Sequence, residues 1–212
     1  FFQPLLPVPV GENLIFSGRP VFPLVTVPNV DFSTGETDGH TTGFGDLQLL
    51  TLIGPGKADG WIWGAGATFK FPTASSDRLG QGKYQAGPAA MIFHMGRPWV
   101  TGLLLQHWSS FAGDDNRSTT RFTDLQYVVR YSLPNAWSIG AGPSITYDWE
   151  AESGDRWTVP IGLGVTKTVR VGKLPMKLRA EVHYSVVQPD SYGDAWNIRL
   201  QVTPVIRSPF IK

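Results

Sequence analysis

The chain of 212 residues contains no cysteine. A disulfide framework and a thiolate metal site are therefore excluded. No stretch approaches the roughly 18 consecutive apolar residues that a transmembrane helix needs, and the mean hydropathy is −0.08. Charge of one sign is lacking too: 18 Lys and Arg stand against 17 Asp and Glu. That balance gives no electrostatic reason to expect nucleic acid as a partner. No basic stretch followed by an apolar one opens the chain at Phe1, so a secretory leader, if one was made, is expected to be gone. What the chain does have is Gly (24), Pro (17) and Trp (8), a composition suited to a turn-rich all-β protein with aromatic belts.

The clearest pattern lies between Trp137 and Trp149. Trp137, Ile139, Ala141, Pro143, Ile145, Tyr147 and Trp149 alternate with Ser138, Gly140, Gly142, Ser144, Thr146 and Asp148. A period of two puts successive side chains on opposite faces of a strand. Both ends of the apolar face carry Trp. Trp and Tyr settle at water–lipid boundaries, so this arrangement fits a strand that crosses a bilayer. The segment exceeds the roughly 9–11 residues of a tilted transmembrane strand.

The alternation recurs. Trp157 to Val165, Ala180 to Val186, Trp196 to Pro204, Leu125 to Tyr131 and Trp63 to Phe71 each set an apolar face against a polar or small one, and Leu47 to Ile53 follows suit. The polar set is the candidate pore lining. Its members are Arg19, Asp46, Gln48 and Lys70 from the first part of the chain, Asp124, Gln126, Arg130, Asp148 and Arg156 from the middle, and Arg179, Glu181, His183, Arg199 and Gln201 from the end. Both signs are interspersed, which suits either a solute path of mixed field or a hydrogen-bonded network that stiffens a narrow interior. A selective anion pore would show rings of one sign. Tyr84–Met95 and Trp99–Trp108 are apolar on both faces and are expected to line an apolar part of the interior or press on a plug.

Short links fall at residues 11–13, 54–57, 96–98, 134–136 and 171–173. Longer polar links run near Asp31–Thr42, Ala74–Lys83, Gly113–Ser118, Ala151–Asp155 and Pro189–Asp194. Short turns on one rim and long loops on the other are the pattern of outer-membrane barrels. About eleven extended segments can be counted, starting at Phe2–Pro9. Single-chain bacterial barrels have even strand numbers, so the expectation is an antiparallel up-and-down transmembrane β-barrel of twelve strands, one of them upstream of Phe1. Residues 1–212 form a single domain in this reading.

Several other features carry competing readings. Pro4, Pro7, Pro9, Pro20, Pro23, Pro88, Pro143, Pro160 and Pro204 fall in expected strands, where each removes a ladder donor. They mark bulges and strand ends, or a weakened seam through which an apolar solute leaves sideways; Pro20, Pro23 and Pro88 are the seam candidates. The acids Asp114, Asp115, Glu150, Glu152 and Asp155 lack EF-hand spacing and read as solvated loops or ion bridges to lipopolysaccharide. His107-x-Ser109 and His183-x-Ser185 place a His and a Ser on one strand face, as an outer-membrane lipase would, but no orienting group or nucleophile elbow accompanies either pair. His40 and His94 are isolated, so no metal site is expected. Gly64-x-Gly66 and Gly162-x-Gly164 make room in the interior or allow curvature; no strand–helix unit surrounds them as a dinucleotide site requires.

Phe2-Gln3-Pro4 to Pro9, Asn13-Leu14-Ile15 to Pro23, Gly43-Phe44-Gly45-Asp46 and Pro72-Thr73-Ala74 occur in order, followed by Asp77-Arg78-Leu79-Gly80-Gln81-Gly82-Lys83 and Ala86-Gly87-Pro88. Trp108 to Asp115, Asp148 to Ala151, Ser153 to Pro160 and Val187 to Asp190 complete the series. Together these resemble the outer-membrane channel family associated with phenol and aromatic degradation, the MetA-pathway family, over nearly the whole chain. The resemblance implies a twelve-stranded barrel for uptake of hydrophobic small molecules. It also implies sequence before Phe1, including a further strand and a segment able to fold into the lumen.

The sequence thus points to a passive channel in the outer membrane of a Gram-negative bacterium, with no enzymatic activity and no cofactor. Twelve strands about 4.8 Å apart, tilted ~40°, give a backbone diameter of roughly 24 Å and a path of about 10 Å. The expected partners are outer-membrane lipid, lipopolysaccharide and a small hydrophobic solute, whose place detergent can take; the protein is expected to be a monomer. A narrow porin for hydrophilic solutes is the alternative within transport, an outer-membrane lipase the alternative among enzymes, and a sealed structural or adhesion barrel the third class.

Overall fold

The computed structural model describes residues 1–30, 37–56, 60–190 and 195–206. Strands dominate, and no helix occurs among the described residues. In chain order they are β1 (Leu6–Val10), β2 (Leu14–Val21), β3 (Leu24–Val30), β4 (Thr37–Phe44), β5 (Leu47–Pro55), β6 (Trp61–Phe71) and β7 (Lys83–Met95). β8 (Trp99–Gly113), β9 (Arg121–Ser132), β10 (Trp137–Ala141), β11 (Ser144–Asp148), β12 (Trp157–Val171), β13 (Leu174–Val187) and β14 (Trp196–Pro204) follow. Twelve of them form one antiparallel sheet, ordered β1-β2-β5-β6-β7-β8-β9-β10-β12-β13-β14, with β11 also pairing β9 and β12. Sequence neighbours are spatial neighbours almost throughout, as tight hairpin links dictate.

The sheet has twelve strands from the chain itself, where the sequence predicts eleven and a further one upstream of Phe1. β10 and β11 lie end to end between β9 and β12, so the strands fill one lane fewer than their number. The alternation from Trp137 to Trp149 is real, yet Gly142 and Pro143 interrupt the strand, and Pro143 is fully buried instead of outward-facing. β1 and β14 are the two edges; no pairing joins them among the described residues.

The polar link expected near Asp31–Thr42 is largely a hairpin. β3 pairs with β4 as a separate two-stranded sheet. It prolongs the β2–β5 pair through the Gly45 N–H bonded to the Pro23 carbonyl at 3.0 Å. Val25, Thr26, Val27, Thr41 and Thr42 supply β-branched side chains that favour extended backbone, and the Thr26 and Thr42 hydroxyls meet at 2.9 Å. Residues 31–36 of that link, Lys57 of the 54–57 link and residues 191–194 of the last link lie outside the described residues.

The two faces of the large sheet invert the order found in soluble proteins. Leu200 is 77% exposed and Glu181 1%. Ile198, Leu163, Ile161, Val165 and Leu103 share the exposed apolar face, while Gln85, Thr68, Arg130 and His183 are buried on the other. The buried face is concave. Thr68 on β6 reaches Gln106 on β8 at 3.2 Å, Arg130 on β9 meets Glu181 on β13, and Asp124 on β9 interacts with Arg19 on β2 and Arg199 on β14.

Aromatic rings collect at both rims of the exposed face. Trp61 packs on His94, and Trp99 on Tyr131 at 5.0 Å, beside the short turns. Beside the long loops, Phe69, Phe71, Tyr84 and Phe111 form a chain, and Tyr147 lies between Trp149 and Trp157 at 4.8 and 4.7 Å. The apolar cluster on the concave side contains Leu50, Leu52, Ala89 and Leu104, with Met91 and Phe93 against it. The residues apolar on both faces in β7 and β8 thus place one set inside and leave Ile92, Leu103 and Leu105 outside.

Candidate functional site

The concave face holds three zones. At the long-loop end, the carboxylate of Asp46, between β4 and β5, accepts the backbone N–H of Ala74 at 3.2 Å and of Gln81 at 2.7 Å. It thereby clasps both ends of the β6–β7 loop. The loop packs down because Gly43, Gly45 and Gly80 leave no side chain in its way: a β-carbon on Gly43 would meet Ser75 and Leu79, and one on Gly80 would meet Asp46. On its other side, Arg117 Nη2 donates to the Asp77 carbonyl at 2.7 Å. A cleft of about 360 Å³ opens here, with Phe1, Pro23, Val25 and Leu79 as apolar walls and Gln48 and Lys70 as polar ones.

Below it, Lys70 Nζ sits 4.5 Å from the Trp108 ring centroid and 5.7 Å from that of Phe122. A cation over aromatic faces is attracted by their quadrupoles, the more so away from water. Asp124 is the acidic counterpart, facing Lys70, Arg19 and Arg199 and hydrogen-bonded to Ser144.

The third zone centres on Glu181. Arg130 Nη2 donates to its Oε1, Arg179 Nε lies 3.6 Å away, Arg199 Nη1 3.7 Å and His183 Nε2 3.1 Å. Arg130 also bonds Thr166 at 3.1 Å, and Arg179 donates to Gln201 Oε1 at 3.0 Å. One buried carboxylate is thus held by three guanidinium groups from β9, β13 and β14. The residues facing the knot on β12 are small: Gly162 opposes His183 and Gly164 opposes Glu181.

The sequence-derived lining is therefore brought together in large part. Gln126 and Arg199 both donate to the Gly142 carbonyl at 3.0 Å. Asp148 and Arg156 stand at the rim instead, where Asp148 accepts the Glu150 N–H and Arg156 donates to the Ala151 carbonyl. Among the seam candidates, Pro20 faces Leu49 of β5, Pro23 closes the turn into the outer hairpin, and Pro88 faces Ala67 where the β7–β8 ladder lapses.

His107 and Ser109 do meet, at 3.2 Å through Nε2, and Nδ1 reaches the Thr123 hydroxyl at 2.9 Å. Trp149 Nε1 donates to the same hydroxyl. Thr123 was not singled out as an orienting group, since it lies on the neighbouring strand with nothing in the sequence to mark it. The other residues that sequence reasoning missed are Tyr127 and Gly142, whereas Trp108 ends the Trp99–Trp108 stretch expected to line the interior.

A family comparison adds to this geometry. Residues 8–195 match the family model described as "Putative MetA-pathway of phenol degradation". The chain belongs to that family. Neither the curated proteins nor the solved structures give a match. The MetA-pathway relationship runs from within β1 to the end of β13 and covers most of each zone described above, leaving out Phe1 at the mouth and Arg199 and Gln201 on β14.

Proposed function

We propose that the protein is an outer-membrane β-barrel channel that takes up small hydrophobic or aromatic molecules by passive diffusion. The observation that carries this reading is the two-faced sheet: buried polar side chains line its concave face, and an exposed apolar face runs between two aromatic rims. An apolar belt of that extent is stable in lipid and aggregates in water. The family relationship supplies the link to aromatic compounds.

The interior supports a solute with apolar surface. Phe1, Pro23, Val25 and Leu79 receive it at the mouth, Trp108 and Phe122 offer ring faces below, and Leu50, Leu52, Ala89 and Leu104 continue the apolar path. The Glu181 knot narrows the polar side of the lumen and stiffens the wall. Such a lumen conducts ions poorly.

Single-channel conductance of the full-length protein in a planar bilayer, with sugar-driven liposome swelling beside it, tests the reading. Small, rare conductance and little swelling, together with faster uptake of an apolar aromatic probe by cells that carry the protein, are expected. Large steady conductance with fast swelling would identify a hydrophilic porin instead.

A further inference from the structure

β10 and β11 pair with β12 at the two ends of their common lane and nowhere between. Trp137, Ser138 and Ile139 face Lys167, Thr166 and Val165. Thr146 and Tyr147 face Thr158 and Trp157 in the same register. Residues 140–145 and 159–164 lie opposite one another without a ladder. The lapse sits about midway between Trp137 and Trp149, at the depth of hydrocarbon, where an open ladder is costly.

Its chemistry explains why it stays open. Even-numbered positions form the hydrogen-bonded pairs of this lane, as Asp148 N–H to the Arg156 carbonyl and Thr168 N–H to the Ala136 carbonyl show. Pro160 occupies such a position and has no N–H to give to Ser144. The Gly142 carbonyl has turned to the interior, where Gln126 and Arg199 hold it. On the far side of β12 the register with β13 shifts between Val159 and Pro160, so the strand bends beside the lapse.

On the concave side, side chains from neighbouring strands lie over the lapse: Arg199 reaches from β14 to the Gly142 carbonyl, and β-carbons on Gly162 and Gly164 would meet His183 and Glu181. Gly140, Gly142, Gly162 and Gly164 take the inward positions, two on each flank, and none puts a side chain across it. The exposed side is a dent of about 250 Å³ lined by Trp99, Tyr127, Ile139, Ala141 and Leu163. Among the described residues a single polar contact crosses this outer side: the Tyr127 hydroxyl, from β9, donates to the Pro160 carbonyl at 2.8 Å.

We infer that this lapse is a side portal, through which a small apolar solute passes from the lumen into the membrane, with Tyr127 as its outer latch and Arg199 with Gln126 as its inner clamp. The inference rests on the uptake reading and adds the route of exit. The glycines add no side chain of their own to the passage, so displacement of Arg199, His183 and Glu181 opens it; the dent receives the solute in an apolar surface, and the polar interior keeps water-soluble molecules from following. Ring-bearing molecules with little polar surface are the class that fits.

The test uses N-phenylnaphthylamine, which fluoresces on reaching membrane lipid, and intact cells carrying the full chain. The register of the flanking pairs, continued across the lapse, sets Ala141 opposite Leu163 at a non-hydrogen-bonded position, both line the dent, and the chain has no other cysteine. In the Ala141→Cys, Leu163→Cys variant, oxidation is expected to slow probe uptake to the level of cells without the protein, and reduction to restore it. Tyr127→Phe is expected to speed uptake about fivefold, the factor that one net hydrogen bond of about 1 kcal/mol represents. Equal uptake in both redox states of a fully cross-linked, heat-modifiable protein overturns the portal. If the cross-link does not close, unchanged uptake in Tyr127→Phe overturns it. Uptake by unmodified protein no faster than by cells lacking it is a different result, since it removes the channel reading itself.

Discussion

Arg130 and Glu181 form an ion pair on the concave face, from strands 51 residues apart in sequence. Glu181 has no exposed side-chain surface, and Arg179 and Arg199 lean on the same carboxylate. Removing the shared acid leaves three cations facing one another without a counter-charge. Glu181→Gln is therefore expected to destabilise the fold by about 3–5 kcal/mol, the range for breaking a buried pair from one side. A lower temperature for the folded-to-unfolded mobility shift on gels checks it; an unchanged temperature would mean that water already screens the knot.

Asp46 holds two backbone donors of one loop, and hydrogen bonds to a charged group contribute about 1.5–3 kcal/mol each. Asp46→Ala is expected to release the β6–β7 loop while the sheet persists. Trypsin cleavage after Arg78 in the folded protein should accelerate by at least about tenfold, as a loss of roughly 1.4 kcal/mol or more implies. Equal cleavage would show that Arg117 alone keeps the loop down.

Pro20 and Pro23 are informative by contrast with the portal. The lapse between β1 and β2 covers residues 3–5 only, closed by the Phe2–Phe22 bridge and the Leu6–Gly18 pair, and Arg19 stands behind it. Changing Pro20 and Pro23 together to Val is expected to leave N-phenylnaphthylamine uptake within about twofold, a change too small for the loss of a hydrogen-bonded gate. A strong fall would move the exit to that edge of the sheet.

The chain Ser109–His107–Thr123 has the order of a nucleophile, base and orienter. Thr123 contributes no charge to stabilise an imidazolium, and Trp149 already donates to its oxygen. The arrangement anchors the aromatic rim, where His107 packs edge-on to Trp149. Ser109→Ala is expected to leave phospholipid hydrolysis by purified protein at the background of the unmodified chain. Hydrolysis that is present and then lost would establish an enzyme.

The sheet was legible because its signal is repetitive: most of the strands from β5 to β14 announce two faces, β7 and β8 being apolar on both, and tight links force neighbours together. The break at Gly142 and Pro143 was not, because the apolar–polar alternation runs through it unbroken and only pairing reveals the missing ladder. The β3–β4 hairpin escaped because β4, with Thr37, Asp38, His40, Thr41 and Thr42, is polar on both faces and resembles a loop. Charged positions in the interior could be read from face alone, yet their groupings could not. Arg130 finds Glu181, and Asp46 finds Ala74 and Gln81, through curvature that no local pattern encodes.

The two aromatic rims also make the protein a gauge of its surroundings. Trp137 and Trp149 stand twelve residues apart on one lane, and in the proposed membrane-spanning barrel a tilt of ~40° sets their rings about 30 Å apart along the membrane normal. A thinner bilayer is met by leaning the strands further, and strand tilt is coupled to the width of the tube they enclose. In the proposed channel, lipid thickness thereby acts mechanically on the bore.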